Sequence, residues 1–208
     1  MSSKKSVFAL VLCTCLLFAG CSPQPAEQNV AADPEIERLA ARAAGVTIIR
    51  DDFGVPHIYG KTDADAVFGL LFAQAEDDFP RIERNYIWAT GRLAEVEGEE
   101  ALYSDLRARL YMTIDEAKAA FDAAPQWLKD LCNAYADGLN WYLHTHPEVQ
   151  PRLLTRFEPW FPMFFSEGSI GGDIESISLR GIEAFYGGEN PADALQAATP
   201  RFFEPKGS

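Results

Sequence analysis

The chain has 208 residues, of which 48% are hydrophobic, and it carries a formal net charge of -13 at pH 7. A chain of this length and apolar content is expected to form one packed domain or part of a larger one. The acidic balance argues against nucleic acid as a partner, because phosphate groups are bound by clustered Lys and Arg side chains.

The N-terminus has the pattern of a bacterial export signal. Lys4 and Lys5 precede an uncharged run over residues 7–19. This run is shorter than the ~20 apolar residues of a membrane-spanning helix and is typical of the hydrophobic part of a signal peptide. It leads into Phe18-Ala19-Gly20-Cys21, which is similar to a bacterial lipobox. We predict a lipoprotein signal over residues 1–21, lipid on Cys21, and a periplasmic protein anchored to the outer membrane of a Gram-negative bacterium. An ordinary cleavable signal with an incidental cysteine is the alternative.

The segment after Cys21 is rich in Pro, Gln and Ala and lacks apolar periodicity. We assign residues 22–45 as a tether between the lipid and the domain. Cys132 is then the one cysteine left in the folded part, so no internal disulfide is expected. Its place in a helical apolar pattern predicts a small core residue.

A β-hairpin is predicted where the folded part begins. Residues 46–50 are rich in β-branched side chains, residues 51–54 have the composition of a turn, and residues 55–60 read as a second short strand. A two-stranded hairpin is marginally stable alone. We therefore expect it to join a sheet supplied by residues outside this sequence.

Helices are predicted from capping residues and apolar spacing. Thr62 or Asp63 caps the first, whose apolar side continues past a kink at Pro80 and stops at Gly91. The other predicted features are a capping box over Thr113–Glu116, a helix from Pro125 to about His144, an aromatic stretch over residues 157–165 and a helix over residues 173–186.

Most residues that could carry chemistry also have simpler structural roles. His144 and His146 lie at a helix end, where His interacts favourably with the helix dipole. His57 has no evident Asp or Ser partner for general-base catalysis. The acidic run over residues 76–78 is expected to be a solvated helix face rather than a calcium site. Asp173 could cap a helix or bind a metal, and the aromatic stretch could pack in the core or line an apolar pocket.

A longer, ordered pattern resembles the penicillin acylase family. It consists of Asp51-Asp52-Phe53-Gly54-Val55-Pro56-His57-Ile58, the helix over residues 63–79, and Gly91-Arg92-Leu93-Ala94-Glu95-Val96-Glu97-Gly98. Residues 134–140 and 157–160 extend it, so that it covers roughly residues 46–186. One departure is Asp77-Asp78-Phe79, where the family usually has Asp-Arg.

The resemblance implies an α+β fold, the αββα sandwich of N-terminal nucleophile hydrolases, to which this chain contributes a mainly helical part with an N-terminal β-hairpin. Members of the family are made as a precursor that cuts itself before a Ser, whose new α-amine activates its own hydroxyl. The oxyanion-hole donors come from the β chain. The resemblance therefore implies an α-chain region over residues 46–188, a spacer over residues 189–208 and Ser208 as the latent nucleophile. An incidental Gly-Ser terminus is the alternative.

The same resemblance implies where ligands bind. Asp173 matches a family position that holds calcium between the chains, while Met163 and Phe164 fall near the acyl-binding pocket. The implied activity is hydrolysis of an amide between an acyl group and an amine, such as a β-lactam side chain or an acyl-homoserine lactone. The implied partners are the β chain and a small-molecule amide, with no organic cofactor. A non-catalytic, lipid-anchored binding or scaffold module is the alternative function.

Overall fold

The computed structural model describes residues 33–165 and 177–188 of the chain. In chain order these form α1 (Pro34–Ala43), β1 (Thr47–Arg50), β2 (Pro56–Tyr59), α2 (Asp63–Ala89), α3 (Ala94–Glu97), a short 3-10 helix (Glu99–Ala101), α4 (Leu102–Tyr111), α5 (Ile114–Ala123), α6 (Gln126–Thr145), an aromatic 3-10 helix (Phe161–Phe164) and α7 (Leu179–Tyr186). The described part is mainly helical with an N-terminal hairpin, as the sequence predicts. Within it, no helix is both long and apolar enough to span a bilayer.

Helix α1 shows that the folded domain begins before the predicted tether ends. Asp33 caps this helix by accepting a hydrogen bond from the backbone N–H of Glu35 at 2.9 Å. Leu39 is only 1% exposed and packs against α2 and α6. The assignment of residues 22–45 as a tether is therefore wrong for residues 34–43. The helix has a local apolar pattern, with Ile36, Leu39, Ala40 and Ala43 at helical spacing after the Asp33 cap, and tertiary packing of this side adds to its stability.

Strands β1 and β2 form the predicted hairpin as an antiparallel pair, with Ile48 opposite Ile58. One carboxylate oxygen of Asp51 closes the turn by accepting from the backbone N–H groups of Phe53 and Val55, at 2.9 and 3.0 Å. Such side-chain hydrogen bonds to the following backbone are the reason that Asp favours turns.

The hairpin is covered on one side within the described part of the chain. Gly69 of α2 faces Ile58 and Val46, and a Cβ at that position would overlap both side chains, so the glycine lets the hairpin approach the helix closely. Several large apolar side chains of the hairpin are more than half exposed: Ile49, Phe53, Val55 and Tyr59.

Helix α2 starts at the predicted Thr62 cap and contains the predicted break at Pro80. Proline has no N–H to donate, and its ring clashes with the carbonyl four residues earlier. The backbone leaves the helical region at Asp78, with φ -160° and ψ 67°. The Asp78 carboxylate then accepts from the N–H of Arg81 at 3.2 Å and from its Nε at 2.7 Å. Asp78 thus caps the second half of α2, at the position where the sequence departs from the family pattern.

The core lies mainly between α2 and α6. Phe68, Leu71 and Phe79 of α2 are each at most 3% exposed, and Leu139 of α6 is fully buried. Gly138 allows the close crossing of the two helices, because a Cβ there would overlap the carbonyl oxygen of Phe68. Packed helices of this kind bury one apolar stripe each, which the spacing in the sequence predicts.

Helices α5 and α6 start where the sequence predicts, whereas α3, the short 3-10 helix and α4 were not predicted. The capping box at Thr113 and Glu116 is formed, and Pro125 precedes α6. Cys132 is 4% exposed, which confirms it as a core residue. Helix α7 begins at Leu179, after Ser178 with its extended backbone at φ -65° and ψ 128°, and the predicted start at residue 173 lies outside the described residues.

Candidate functional site

Glu83 positions the segment that leads into the aromatic 3-10 helix. This carboxylate is 2% exposed and lies on α2. One oxygen accepts from the N–H groups of Leu153 and Leu154 at 2.8 and 2.9 Å, and the other accepts from the N–H of Arg152 at 3.0 Å. Hydrogen bonds to a charged acceptor are about twice as strong as neutral ones. Three of them tie residues 152–154 to the middle of α2.

Asn140 fixes the next part of the same segment. Its side-chain amide donates to the carbonyl of Phe157 at 2.9 Å, and its oxygen accepts from the N–H of Phe157 at 2.8 Å. The Phe157 ring is 1% exposed and packs edge-on against Phe79, Tyr86 and Phe161. Helices α2 and α6 therefore hold the start of the aromatic stretch through both backbone and ring contacts.

A cleft of about 360 Å³ lies beside the aromatic 3-10 helix, between α2 and α6. Its walls are Gln74, Ile82, Asn85, Tyr86, Tyr135, Pro162 and Phe165. None of these side chains carries a charge at neutral pH. Ligand sites in proteins commonly have this size and combine apolar walls with a few polar groups. The cleft is the candidate binding site of the described part.

Met163 and Phe164, the predicted pocket residues, lie on the aromatic 3-10 helix and are half-buried. The cleft is lined by their neighbours Pro162 and Phe165. Phe164 instead contacts the ring of Trp160, with centroids 6.0 Å apart. Phe157 and Phe161 of the aromatic stretch pack in the core, and the acyl-pocket role of Met163 and Phe164 stays a prediction.

Two tyrosines among the residues that line the cleft pair with each other. Tyr86 is 3% exposed and its hydroxyl is hydrogen-bonded to that of Tyr135. The Tyr86 ring stacks on Phe161 at 5.4 Å and meets Phe165 edge-on at 5.2 Å. Burial raises the pKa of both phenols, so both hydroxyls stay protonated at physiological pH. They are therefore hydrogen-bond donors rather than bases.

A second polar pair lies on the hairpin. His57 Nε2 is 3.2 Å from the Asp51 carboxylate, so the expectation that His57 has no acidic partner is wrong. The hydrogen bond from His57, with those from the N–H groups of Val55 and Phe53, lowers the pKa of Asp51. Both side chains are more than a third exposed. The pair stabilises the turn, and no hydroxyl nucleophile faces it in the described ranges.

The acidic run of α2 is engaged in ion pairs. Arg50 of β1 contacts Glu76 at 3.1 Å and Asp77 at 2.9 Å. Across residues 33–165 and 177–188, no group of three or more metal-ligating side chains is assembled. The remaining predicted site residues, which are Cys21, Asp173 and Ser208, lie outside the described residues.

The fold and the sequence agree on one class of protein. The structure resembles a thermostable penicillin G acylase from Alcaligenes faecalis with a TM-score of 0.54 at 19% identity, covering 78% of this chain and 98% of that one. The described part therefore has the fold of this N-terminal nucleophile hydrolase class, with the hairpin and helices that the sequence predicts.

The family follows from the sequence comparisons. The sequence profile of the family described as penicillin amidase matches residues 45–191. The acyl-homoserine lactone acylase QuiP of Pseudomonas putida is 31% identical over 159 residues, which are 74% of this chain and 19% of that protein. The penicillin acylase 2 proenzyme of a Pseudomonas species, strain SE83, is 33% identical over 123 residues, or 58% of this chain and 16% of that protein. The chain belongs to the penicillin amidase family, and it spans about a fifth of the length of these curated relatives.

Sequence reasoning missed the residues that position the cleft. Glu83 had a detectable signal, since it falls on the apolar side of α2 with Phe79 and Ile87, where an unpaired charge would be costly. The Tyr86–Tyr135 pair left no signal in the sequence, because the two residues are 49 positions apart and each alone fits an apolar helix face.

Proposed function

We propose that this chain is the α-chain part of an acylase that hydrolyses an amide bond between an acyl group and an amine. Membership of the penicillin amidase family over residues 45–191 carries this proposal. The uncharged cleft beside the aromatic 3-10 helix supports it, because an acyl group is neutral and largely apolar. The names of the relatives QuiP and penicillin acylase 2 specify acyl-homoserine lactone and penicillin, and we propose amides of these types as substrates of this protein.

Ser208 is the proposed nucleophile. After the precursor cuts itself between Gly207 and Ser208, the free amine of Ser208 accepts the proton of its own hydroxyl as the oxygen attacks the amide carbonyl. Donors in the β chain stabilise the resulting oxyanion. The amine product leaves with a proton, and water then releases the acid from the serine ester. Before the cut, the nitrogen of Ser208 is part of a peptide bond and cannot act as this base.

A β chain from the same precursor is the proposed partner. The exposed apolar side chains of the hairpin support this assignment, since Phe53 is 92% exposed and Tyr59 is 59% exposed. A two-stranded hairpin with such a surface is marginal in water. Burial in a larger sheet would remove this apolar area from solvent. It would stabilise the assembly by about 25 cal/mol for each Å² of apolar surface buried.

Calcium is the proposed structural metal, with Asp173 as one ligand. Calcium requires six to eight oxygen ligands, so most of its ligands would come from other parts of the protein. Asp173→Ala in the full precursor is expected to lower the calcium content of the purified protein and to impair its maturation. Normal metal content in this variant would remove Asp173 from the site.

Anchoring through lipid on Cys21 is the proposed localisation, on the outer membrane facing the periplasm. The basic start, the uncharged run and the lipobox-like Phe18-Ala19-Gly20-Cys21 support it. Several acyl chains on one cysteine give stable membrane attachment. Cys21→Ala is expected to move the protein from the detergent-soluble membrane fraction to the soluble periplasmic fraction, and unchanged membrane attachment would count against lipidation.

The proposed activity is tested on the complete precursor. The purified protein is assayed with phenylacetyl and hexanoyl 4-nitroanilides, and we expect release of 4-nitroaniline by the unmodified protein. Ser208→Ala is expected to give an uncut and inactive precursor, while Ser178→Ala serves as a matched control with a serine outside the proposed site. Hydrolysis by the Ser208 variant would overturn the assignment, and hydrolysis of neither amide by the unmodified protein would favour a binding module.

A further inference from the structure

Arg107 of α4 has no acidic partner in the part of the chain that the structure describes. Its one hydrogen bond there runs from Nη1 to the backbone carbonyl of Ile177, at 3.3 Å. The residue is partly buried, and its Nε is buried without a hydrogen-bond partner among the same residues. Most other arginines of the described part contact a carboxylate: Arg38, Arg42, Arg50, Arg81, Arg84, Arg92, Arg152 and Arg156. Arg107 differs from them in lacking a counter-ion.

The carboxylate nearest to Arg107 in sequence is already engaged. Asp105 lies two positions earlier on α4 and accepts from the backbone N–H groups of Leu93 and Ala94, at 2.7 and 2.8 Å. Residues two positions apart do not face each other on a helix. A partly buried cation without a partner is costly, and the planar guanidinium group matches the two oxygens of a carboxylate. The arrangement therefore favours a carboxylate supplied from outside the described residues.

The start of α7 lies beside the same guanidinium group. Ile177, whose carbonyl contacts Arg107, directly precedes the N-cap residue Ser178. Ser178 makes no capping hydrogen bond through its side chain. The N–H groups at the start of a helix carry partial positive charge, which favours a negative charge nearby. This turn of α7 and Arg107 therefore favour the same kind of group.

Exposed apolar side chains lie on the same two helices. Leu110 is 56% exposed and follows Arg107 by three positions, which places both on one side of α4. Leu179 in the first turn of α7 is 39% exposed, and Phe185 is 68% exposed. Interfaces between proteins are enriched in Arg and aromatic side chains. We call these four residues, Arg107, Leu110, Leu179 and Phe185, the α4–α7 surface.

We propose that the α4–α7 surface contacts the β chain and that Arg107 pairs there with an Asp or Glu of the β chain. The inference rests on the proposed β-chain partner and adds a charged contact to the apolar one at the hairpin. The length of the relatives supports this occupant, since the chain spans only 19% of QuiP. In a protein of that length, most of the carboxylates that could reach Arg107 lie outside this chain.

Carbodiimide coupling of the purified full-length protein tests the pair. Arg107→Lys keeps the positive charge and introduces an amine, which a carbodiimide joins to a contacting carboxylate as an amide with loss of water. Mass spectrometry of the digested protein is expected to show a link from position 107 to an Asp or Glu beyond residue 208. A link to a carboxylate within residues 1–208, or no link from position 107, would overturn the proposal.

Arg81→Lys is the matched control for the coupling. Arg81 is 77% exposed, and its partner Asp78 lies in this chain, with 2.7 Å between Nε and the carboxylate oxygen. This variant is expected to give a link to Asp78 and none to the β chain. Equal links to the β chain from both positions would show that the coupling does not report a specific pair and would count against Arg107.

Arg107→Met measures the contribution of the pair to the assembly. The methionine removes the charge and leaves the carboxylate of the β chain without its partner, so the two chains of the matured protein are expected to separate at least about tenfold faster in urea. Size-exclusion chromatography follows the separation. Arg180→Met, which removes an exposed arginine of α7, is expected to change the rate by less than about twofold. An unchanged rate in the Arg107 variant would contradict the pair.

The outcomes separate this inference from the proposed function. If the protein is not cut before Ser208, self-processing fails, but a link from position 107 to a residue beyond 208 still supports the contact. If the protein is cut and hydrolyses amides but shows no such link, only the assignment of Arg107 fails.

Discussion

The core between α2 and α6 is closed by contacts within the chain, whereas one side of the hairpin of β1 and β2 is exposed. In the helical part Phe157 and Leu139 are at most 1% exposed, and the buried Glu83 carboxylate has three N–H donors. In the hairpin Phe53 is 92% exposed and Ile49 is 54% exposed. Buried polar groups with partners and buried apolar rings are the features of a finished core. Contacts within the chain therefore account for the core between α2 and α6, and the exposed side of the hairpin is the surface that the proposed β chain would cover.

Substitution of Glu83, in the helical part, is expected to lower the free energy of unfolding more than any other change considered. Glu83→Ala removes the acceptor of three backbone N–H groups, of which that of Leu154 is buried and those of Arg152 and Leu153 are partly buried, and a buried donor without a partner costs about 1–3 kcal/mol. We expect the free energy of unfolding of the chain without residues 1–21 to fall by at least about 3 kcal/mol, measured by urea denaturation. Glu97→Ala, which removes a more exposed carboxylate, is the control. Equal small effects of both variants would contradict the positioning role of Glu83.

The next largest loss of stability is expected from a substitution of Gly138, which lies where α2 and α6 cross. A Cβ at this position overlaps the Phe68 carbonyl, and neither backbone can yield without shifting a packed helix. Gly138→Ala is expected to lower the free energy of unfolding by about 1–3 kcal/mol, the usual effect of overpacking. Gly45→Ala is the contrasting glycine, because its φ is not in the left-handed region and the nearest atom to an added Cβ would be the Arg42 carbonyl oxygen at 3.3 Å. A gain in stability in the Gly138 variant would show that the helices are farther apart.

A substitution on the exposed side of the hairpin is expected to change the stability of the isolated chain only slightly and to reduce its assembly with the proposed β chain more strongly. Because Phe53 is almost fully exposed, Phe53→Ser is expected to change the free energy of unfolding of the isolated chain by less than about 0.5 kcal/mol. The same change in the full precursor is expected to reduce the yield of matured protein, measured by gel after purification. A variant that matures normally would remove this side chain from the interface with the β chain.

The smallest effect concerns the pH dependence of the hairpin turn. The pKa of Asp51 is lowered by the hydrogen bond from His57 and by two backbone N–H groups. A lowered folded-state pKa means that these interactions are complete at neutral pH and are lost as the pH falls through that lowered value. NMR titration of the Asp51 carboxyl carbon is expected to show a pKa below the ordinary range, and His57→Gln should raise it. An ordinary pKa in the unmodified chain would contradict the pair.

Local patterns predicted most of the fold. The caps at Thr62 and Thr113, the break at Pro80 and the hairpin turn at Asp51 depend on residues close in sequence, and they appear where the sequence places them. Helix α1 was missed although its signals are local, namely the Asp33 cap and the apolar spacing of Ile36 and Leu39, because the composition of the preceding residues was extended over it. Its ion pairs could not be predicted, since Arg38 and Arg42 contact Asp137, which is more than 90 positions away.

The candidate site was predictable only as a segment. The aromatic run over residues 157–165 was recognised as a possible pocket, and the structure places a cleft beside it. The cleft itself depends on α2 and α6 crossing, which brings Tyr86 to Tyr135. No spacing rule connects two residues on different helices. The family resemblance supplied the proposed nucleophile and calcium ligand, which composition and periodicity alone did not.

The account is tested most directly by determining the N-terminal sequence of the large fragment of the purified full-length protein. The proposed self-processing predicts two chains, of which the larger begins with Ser208 and the smaller contains the helices described above. The cut is expected to occur without added protease and to be absent from Ser208→Ala. A large fragment that begins at another residue, or an active protein that stays as one uncut chain, would contradict the assignment of this chain as the α-chain part of a self-processed acylase.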